Sequence, residues 1–321
     1  MLKHGAFIAF AALLSGVPVV GDNYDVQIAS FVCLYASLAL AWNIIGGYAG
    51  YPSFAAAAFV GLGSYAGALL QKAGFAMPLA WVGATLIVAV FGAALGYAIL
   101  RIKGHYFAIG SFATVEILRL VTSSWADLTG GGNGLNIAFV TGSPAEVGRL
   151  FLWSFIAVMA GAYLMTVLVE RSRLGFGLRC IKQNESAAES LGINVSAYKI
   201  AAFTLSGVPC GTVGAISASW TGYISPTDAF SILLTLKVPV MAMLGGVGTV
   251  WGPIVGATSF VLLEQTVWAR FLDWNHAVLG VLIVLLVFFL PNGLLNLLPG
   301  RGDRRGSAKP AAGAGSAADA R

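Results

Sequence analysis

The sequence predicts an all-α fold, a polytopic integral membrane bundle of about ten transmembrane helices, with eight or nine as alternatives, and one short helix lying outside the bilayer. Three observations carry this expectation. Of the 321 residues, 58% are hydrophobic and 10% charged, against about 45–50% and about 25% in an average soluble domain. With a mean hydropathy of +0.84, a soluble monomer could not hide that much apolar surface. Apolar runs of the length that crosses a bilayer, about 17–25 residues, recur along the chain. Finally, the basic residues gather at the ends of those runs, on alternate connections. The 41 glycines agree with a membrane setting, since glycine is commoner in membrane helices than in soluble ones.

The predicted spans are residues 5–21, 26–46, 52–71, 77–100, 105–124, 150–169, 200–222, 231–247, 250–269 and 276–297. The first follows Lys3 and His4 in the manner of a signal peptide, but no small-residue cleavage pattern precedes Asp22, so it is expected to stay as a helix. Basic residues in short loops stay cytoplasmic. With the N-terminus inside, the cytoplasmic segments hold Lys3; Arg101 and Lys103; Arg171, Arg173, Arg179, Lys182 and Lys199; and Arg301, Arg304, Arg305, Lys309 and Arg321, thirteen of the 18 basic residues. Lys72, Arg149, Lys237 and Arg270 fall on the other side, and Arg119 inside a span. Both termini are therefore expected in the cytoplasm. The crossings after residue 199 must be even in number, four or two. Four requires a tight hairpin over 231–269, broken at Leu-Gly-Gly-Val-Gly-Thr-Val-Trp-Gly-Pro (244–253); a re-entrant element is the alternative. Residues 1–298 form the membrane domain, 170–199 a cytoplasmic loop within it, and 299–321, rich in Gly, Ala, Ser and Arg, a disordered tail.

Several function classes drop out. The net charge of +5 does not indicate nucleic-acid binding, because the charges sit at the ends of apolar runs. Cys33, Cys180 and Cys210 are odd in number and far apart, giving neither a disulfide framework nor a metal-ligand spacing. Residues 128–135, Leu-Thr-Gly-Gly-Gly-Asn-Gly-Leu, resemble a phosphate-binding turn but lack the Lys-Ser/Thr of a P-loop. The chain has no nucleophile elbow, zinc-protease motif or carboxylate pair at catalytic spacing. It is expected to be no enzyme, with no catalytic residue, metal or cofactor of its own.

Other segments carry more information. In 170–199, Leu178, Ile181, Ala188 and Leu191 recur at roughly helical spacing, and Arg179, Lys182, Glu185 and Glu189 supply polar positions. Gly192 is placed to end that helix. Such a helix either rests on lipid headgroups or docks into a partner's groove. Glu116 and Arg119, three apart inside a span, share a face and can pair; charges at membrane depth mark a functional site or a structural ion pair. Small-residue spacings (Gly63 and Gly67, Gly92 and Gly96, Gly207 and Gly211, Gly248, Gly252 and Gly256) allow close helix approach within a bundle or between similar subunits. Asn184 and Asn194 are formal glycosylation acceptors on a side where that signal is empty.

Six ordered blocks together resemble the permeases of branched-chain amino acid ABC transporters, the M-type subunit of the leucine/isoleucine/valine importer family. They are GYAGYPSFAAAAFVGLGSY (47–65), LRIKGHYFAIGSFATVEILR (100–119), TGGGNGL (129–135), SRLGFGLRCIKQNESAAESLGINVSAYK (172–199), GYISP (222–226) and LGGVGTVWGPIVGA (244–257). The resemblance implies a bacterial inner-membrane subunit that pairs with a second permease, two cytoplasmic ATPase subunits that bind the ATP, and a periplasmic binding protein. It also implies that 172–194 contacts the ATPase, through Arg179, Lys182, Asn184, Glu185, Ala188, Glu189, Leu191 and Gly192. One departure stands out: where the family has Ser-Leu-Gly-His, this chain has Ser53-Phe54-Ala55-Ala56. Urea and short-chain amide importers use similar permeases and remain alternative assignments, as does a stand-alone secondary transporter or a scaffold without transport. For a zwitterionic amino acid, the candidate path-lining residues are Asn43, Ser53, Ser111, Thr114, Glu116 and Arg119. Helix breaks around Gly61 and Gly245 would add partial charges.

Overall fold

A computed structural model describes residues 2–102, 104–138, 140–270 and 280. The elements in chain order are α1 (Leu2–Val20), α2 (Asn23–Trp42), whose last turn widens to π-helical geometry over Asn43–Tyr48, α3 (Ala56–Lys72), α4 (Met77–Ile99), α5 (His105–Ser124), α6 (Ala126–Thr129), β1 (Leu135–Asn136), α7 (Pro144–Arg171), α8 (Arg173–Gln183), α9 (Glu185–Ser190), α10 (Val195–Thr221), β2 (Tyr223–Ile224), α11 (Pro226–Ala229), α12 (Ile232–Gly245) and α13 (Gly252–Arg270).

Among the described residues, six helices are long and apolar enough to cross a membrane: 23–48, 77–99, 106–124, 144–171, 195–221 and 226–245. This makes the chain a helical membrane protein, while the expected total of about ten spans exceeds the six that meet that standard. The predicted runs 5–21, 52–71 and 250–269 correspond to the apolar helices α1, α3 and α13. The run 276–297 and the tail 299–321 lie outside the described residues. Helix α7 begins six residues before the predicted start. Ser143 and Glu146 form a capping box there, with Pro144 in the first turn, a signature that satisfies orphan amides ahead of the apolar run.

Long-range contacts show that successive helices alternate in direction. At one end, called here the basic end, His4 meets Tyr163 and Arg171, and Lys182 reaches Gly47. At the other, Arg149 reaches Pro18, Gln71 and Trp81 both reach Ser219, and Leu135 and Asn136 pair antiparallel with Ile224 and Tyr223. The 231–269 segment is a hairpin: α12 descends to a turn over residues 246–251 at the basic end, and α13 returns until Gln265 meets Tyr24.

The most buried spans are 23–48 (83% buried) and 195–221 (61%), whereas 77–99 and 106–124 are 22% and 28% buried. Helices α2 and α10 are thus the core, with α4 and α5 on the rim. Glycine sets the intimacy of the core. A Cβ at Gly63 would strike the Gly211 backbone, and one at Gly214 the Val60 carbonyl, so α3 and α10 touch backbone to backbone. The α12–α13 hairpin closes in the same way, Gly256 against Met241 and Gly245 against Gly252.

Three expectations need correction. No helix break occurs at Gly61, which lies inside continuous α3; it is small because the Phe230 ring packs where its Cβ would be. Lys237, counted with the outer-side charges although it falls within the predicted span 231–247, is buried in α12 and ion-paired with Glu264 of α13. The amphipathic helix of 170–199 is two helices, α8 and α9, divided at Asn184.

Candidate functional site

The α8–α9 element hangs from the basic end. Asn184 has an extended backbone (φ −161°, ψ 116°) that ends α8 while its side chain accepts a hydrogen bond from the Ala187 amide and so caps α9. This capping outcompetes helix continuation, the usual behaviour of asparagine at such a position. Gly192 stops α9 in the left-handed conformation (φ +81°), as expected of a helix C-terminus. Leu178, Ile181 and Ala188 are buried against the bundle, whereas Phe176 and Leu191 are 63% and 75% exposed. Leu191 therefore does not share the buried stripe that its spacing suggested. Arg179, Asn184 and Glu189 are exposed, Arg179 reaching the Glu170 carbonyl, and Lys182 donates to the Gly47 carbonyl at 2.9 Å.

Sequence reasoning missed the centre of this region. Lys199 of α10 is buried, forms an ion pair with Glu185 and donates to the Tyr51 hydroxyl at 2.6 Å. The Tyr51 hydroxyl in turn donates to Glu185, and its ring lies 4.2 Å from the Lys199 ammonium. Burial, reinforced by Glu185, pushes the Tyr51 phenol above its ordinary pKa, so it stays protonated and can donate. Three separated segments thus share one buried charged network: the α2–α3 connection, α9 and α10. A lysine five residues into an apolar helix was the available signal.

Each of the six path candidates has hydrogen-bond partners within the bundle. Asn43 spends both ends of its amide on the α12–α13 turn, donating to the Thr249 carbonyl at 2.9 Å and accepting from the Gly248 amide at 2.8 Å. Ser53 turns back to the Ala55 amide, and its carbonyl accepts from the Trp42 indole. Ser111 accepts from the Phe54 amide at 2.9 Å and donates to the Ala108 carbonyl. Thr114 donates to Gly110 within its own helix. Glu116 and Arg119 pair as their spacing predicts, the guanidinium gripping both carboxylate oxygens. They remain 37% and 30% exposed, on the rim helix α5, along a face with exposed Ile109, Phe112 and Leu120.

A second buried charged pair, Lys237 with Glu264, is 8% and 13% exposed between α12 and α13. Glu264 was not anticipated. The glycine loop is a structural tie: Thr129 donates to the carbonyls of Thr122 and Trp125. Gly134 (φ +71°) sits where any Cβ would strike the Ile224 carbonyl, so β1 can reach β2. Among the described residues, no cluster of three His, Cys, Asp or Glu could hold a metal.

Apolar helices of alternating direction, with buried charge networks and an amphipathic element at one end, define a polytopic helical membrane protein. The profile of the family described as branched-chain amino acid transport system / permease component matches residues 25–287, and the chain belongs to that family of membrane transport permeases. It is similar to the high-affinity branched-chain amino acid transport system permease protein LivM of Salmonella typhimurium, 28% identical over 308 residues, covering 87% of this chain and 71% of the relative. The Escherichia coli LivM is 27% identical, covering 90% and 74%. The autoinducer 2 import system permease protein LsrC of Escherichia coli is 26% identical over 239 residues, covering 68% and 66%. No solved structure matches.

Proposed function

We propose that this chain is one of two permease subunits in an ABC importer of the bacterial inner membrane, carrying branched-chain or related amino acids with ATPase subunits on its basic side. In this reading the chain crosses the bilayer ten times, with both termini cytoplasmic, and a periplasmic binding protein delivers the substrate. The observation that carries it is the α8–α9 element, which buries Leu178, Ile181 and Ala188 in the bundle while presenting Phe176 and Leu191 outward. A helix pair with one apolar side inside and a second outside is built to be gripped. Closure of an ATPase dimer, driven by ATP bound on those partners, would press on it and shift the bundle between inward-open and outward-open states, through differential contacts with each.

The α5 face supports the same reading. An ion pair at membrane depth is costly where it faces lipid, and Glu116 and Arg119 are partly exposed on the single chain. A second permease seated against α5 would cover them and place the path between the two subunits. Resemblance to an autoinducer 2 import permease favours keeping a second substrate class in view, beside urea and short-chain amides.

The test is reconstitution in proteoliposomes with candidate ATPase, second-permease and binding-protein partners, measuring uptake of leucine, urea and autoinducer 2. ATP-dependent leucine uptake is expected. Uptake that ignores ATP would replace the importer with a stand-alone transporter, and ATP-dependent uptake of another substrate would reassign the cargo.

A further inference from the structure

The connection between α2 and α3, residues 49–55, is short, proline-containing and tied at several points. Its Tyr51 amide donates to the Ile45 carbonyl at 3.3 Å, and the Trp42 indole fixes the Ser53 carbonyl at 2.7 Å. Pro52 locks one φ angle. Toward α9 and α10, the Tyr51 hydroxyl sits between Glu185 and Lys199. Toward α5 there are two contacts one helical turn apart. The Tyr51 ring meets the fully buried Phe107 edge-on at 5.5 Å, and the Phe54 amide donates to Ser111 at 2.9 Å. Tyr51 and Phe54 are three positions apart, a span of about 10 Å at most, so the two grips cannot move far apart. Helix α5 is otherwise among the least buried spans, and the face opposite these grips carries Phe112, Glu116 and Leu120.

We infer that residues 49–55 are a strap that carries displacement of α9 to α5, with Tyr51 and Ser111 as its positioning residues. The inference rests on reading α9 as the coupling element. Movement of Glu185 drags Tyr51, and Tyr51 and Phe54 together rotate the basic end of α5, which turns the Glu116–Arg119 face.

Tyr51→Phe keeps the ring on Phe107 and removes the hydroxyl held by Glu185 and Lys199. Ser111→Ala frees the Phe54 amide, and Ser111→Thr keeps the accepting hydroxyl. In the complete reconstituted transporter, Tyr51→Phe and Ser111→Ala should each lower substrate imported per ATP at least fivefold, with Ser111→Thr within twofold of the parent. Because the two grips act in series, the double variant should lose no more than the worse single one. Multiplying losses, or an unchanged ratio, would overturn the strap. Hydrogen exchange on this chain alone in nanodiscs gives a second judgement that needs no motor. Tyr51→Phe should speed exchange at least tenfold across 105–112 as well as 49–55, and a change confined to 49–55 would overturn the proposal. A parent assembly that fails to import on ATP would instead remove the importer reading, leaving the exchange result to judge the strap.

Discussion

Breaking the Lys199–Glu185 pair by changing one partner should cost far more than removing both. Lys199 is 3% and Glu185 16% exposed, so solvent screens the pair little, and the discount that applies to surface ion pairs does not apply here. In Glu185→Gln the ammonium keeps the Tyr51 hydroxyl and ring but loses its countercharge. An uncompensated buried charge costs about 3–5 kcal/mol, whereas replacing both charges by neutral groups of similar volume is often close to neutral. At roughly 2–4 °C per kcal/mol for chains of this order of size, the single variant should lose roughly 6–20 °C in apparent Tm. The double variant Glu185→Gln with Lys199→Met should recover most of that loss. With the partly exposed Cys180 changed to Ser, the chain supplies its own reporter: Cys33 and Cys210 are 0% and 2% exposed, so a thiol-reactive fluorophore labels them as the bundle opens during a thermal ramp. A single-variant loss under about 2 °C, or a double variant as unstable as the single, would refute a buried, mutually dependent pair and return Lys199 to the status of an ordinary interfacial lysine.

Other outcomes follow from the same geometry. Glu189→Lys, at an exposed position, should leave thermal stability unchanged while weakening ATPase stimulation by loaded binding protein; Glu185→Lys should lose stability as well, and identical melting of the two would contradict their different burial. Exchanging the charges in Glu116→Arg with Arg119→Glu should restore at least half of the uptake that either alanine variant loses, and absence of rescue would show that the two act separately. Gly134→Ala should cost at least about 1 kcal/mol, from its positive φ and the collision with Ile224, whereas Gly132→Ala, facing open space, should stay within about 0.5 kcal/mol by denaturant titration. Glu264→Gln should destabilise more than the paired change Lys237→Met with Glu264→Gln, read by the same thiol assay.

The sequence by itself determined what depends on short-range chemistry. Apolar run length located the six helices that, among the described residues, are long and apolar enough to cross a membrane, because each span must satisfy its own backbone within about 20 residues. Spacing of three placed Glu116 beside Arg119, and Gly192 marked the end of α9, because both are matters of one helical turn. The tertiary structure decided everything that joins distant segments. Tyr51, Glu185 and Lys199 lie up to 148 positions apart, and no local pattern says that a phenol after α2 will bond to both a carboxylate on α9 and the ammonium on α10 that pairs with it. Lys237 read as one more outer-side charge because its partner, Glu264, stands 27 positions away on the returning helix. Asn184 looked like the middle of one helix, yet its amide cap and the packing of Ala188 under the bundle split that helix in two. Likewise Gly61 reads as a helix break until Phe230 is seen to occupy the space its missing side chain leaves. Burial of a charge is affordable only where an opposite charge arrives from elsewhere, and that arrival is a property of the packed bundle, not of the order of its residues.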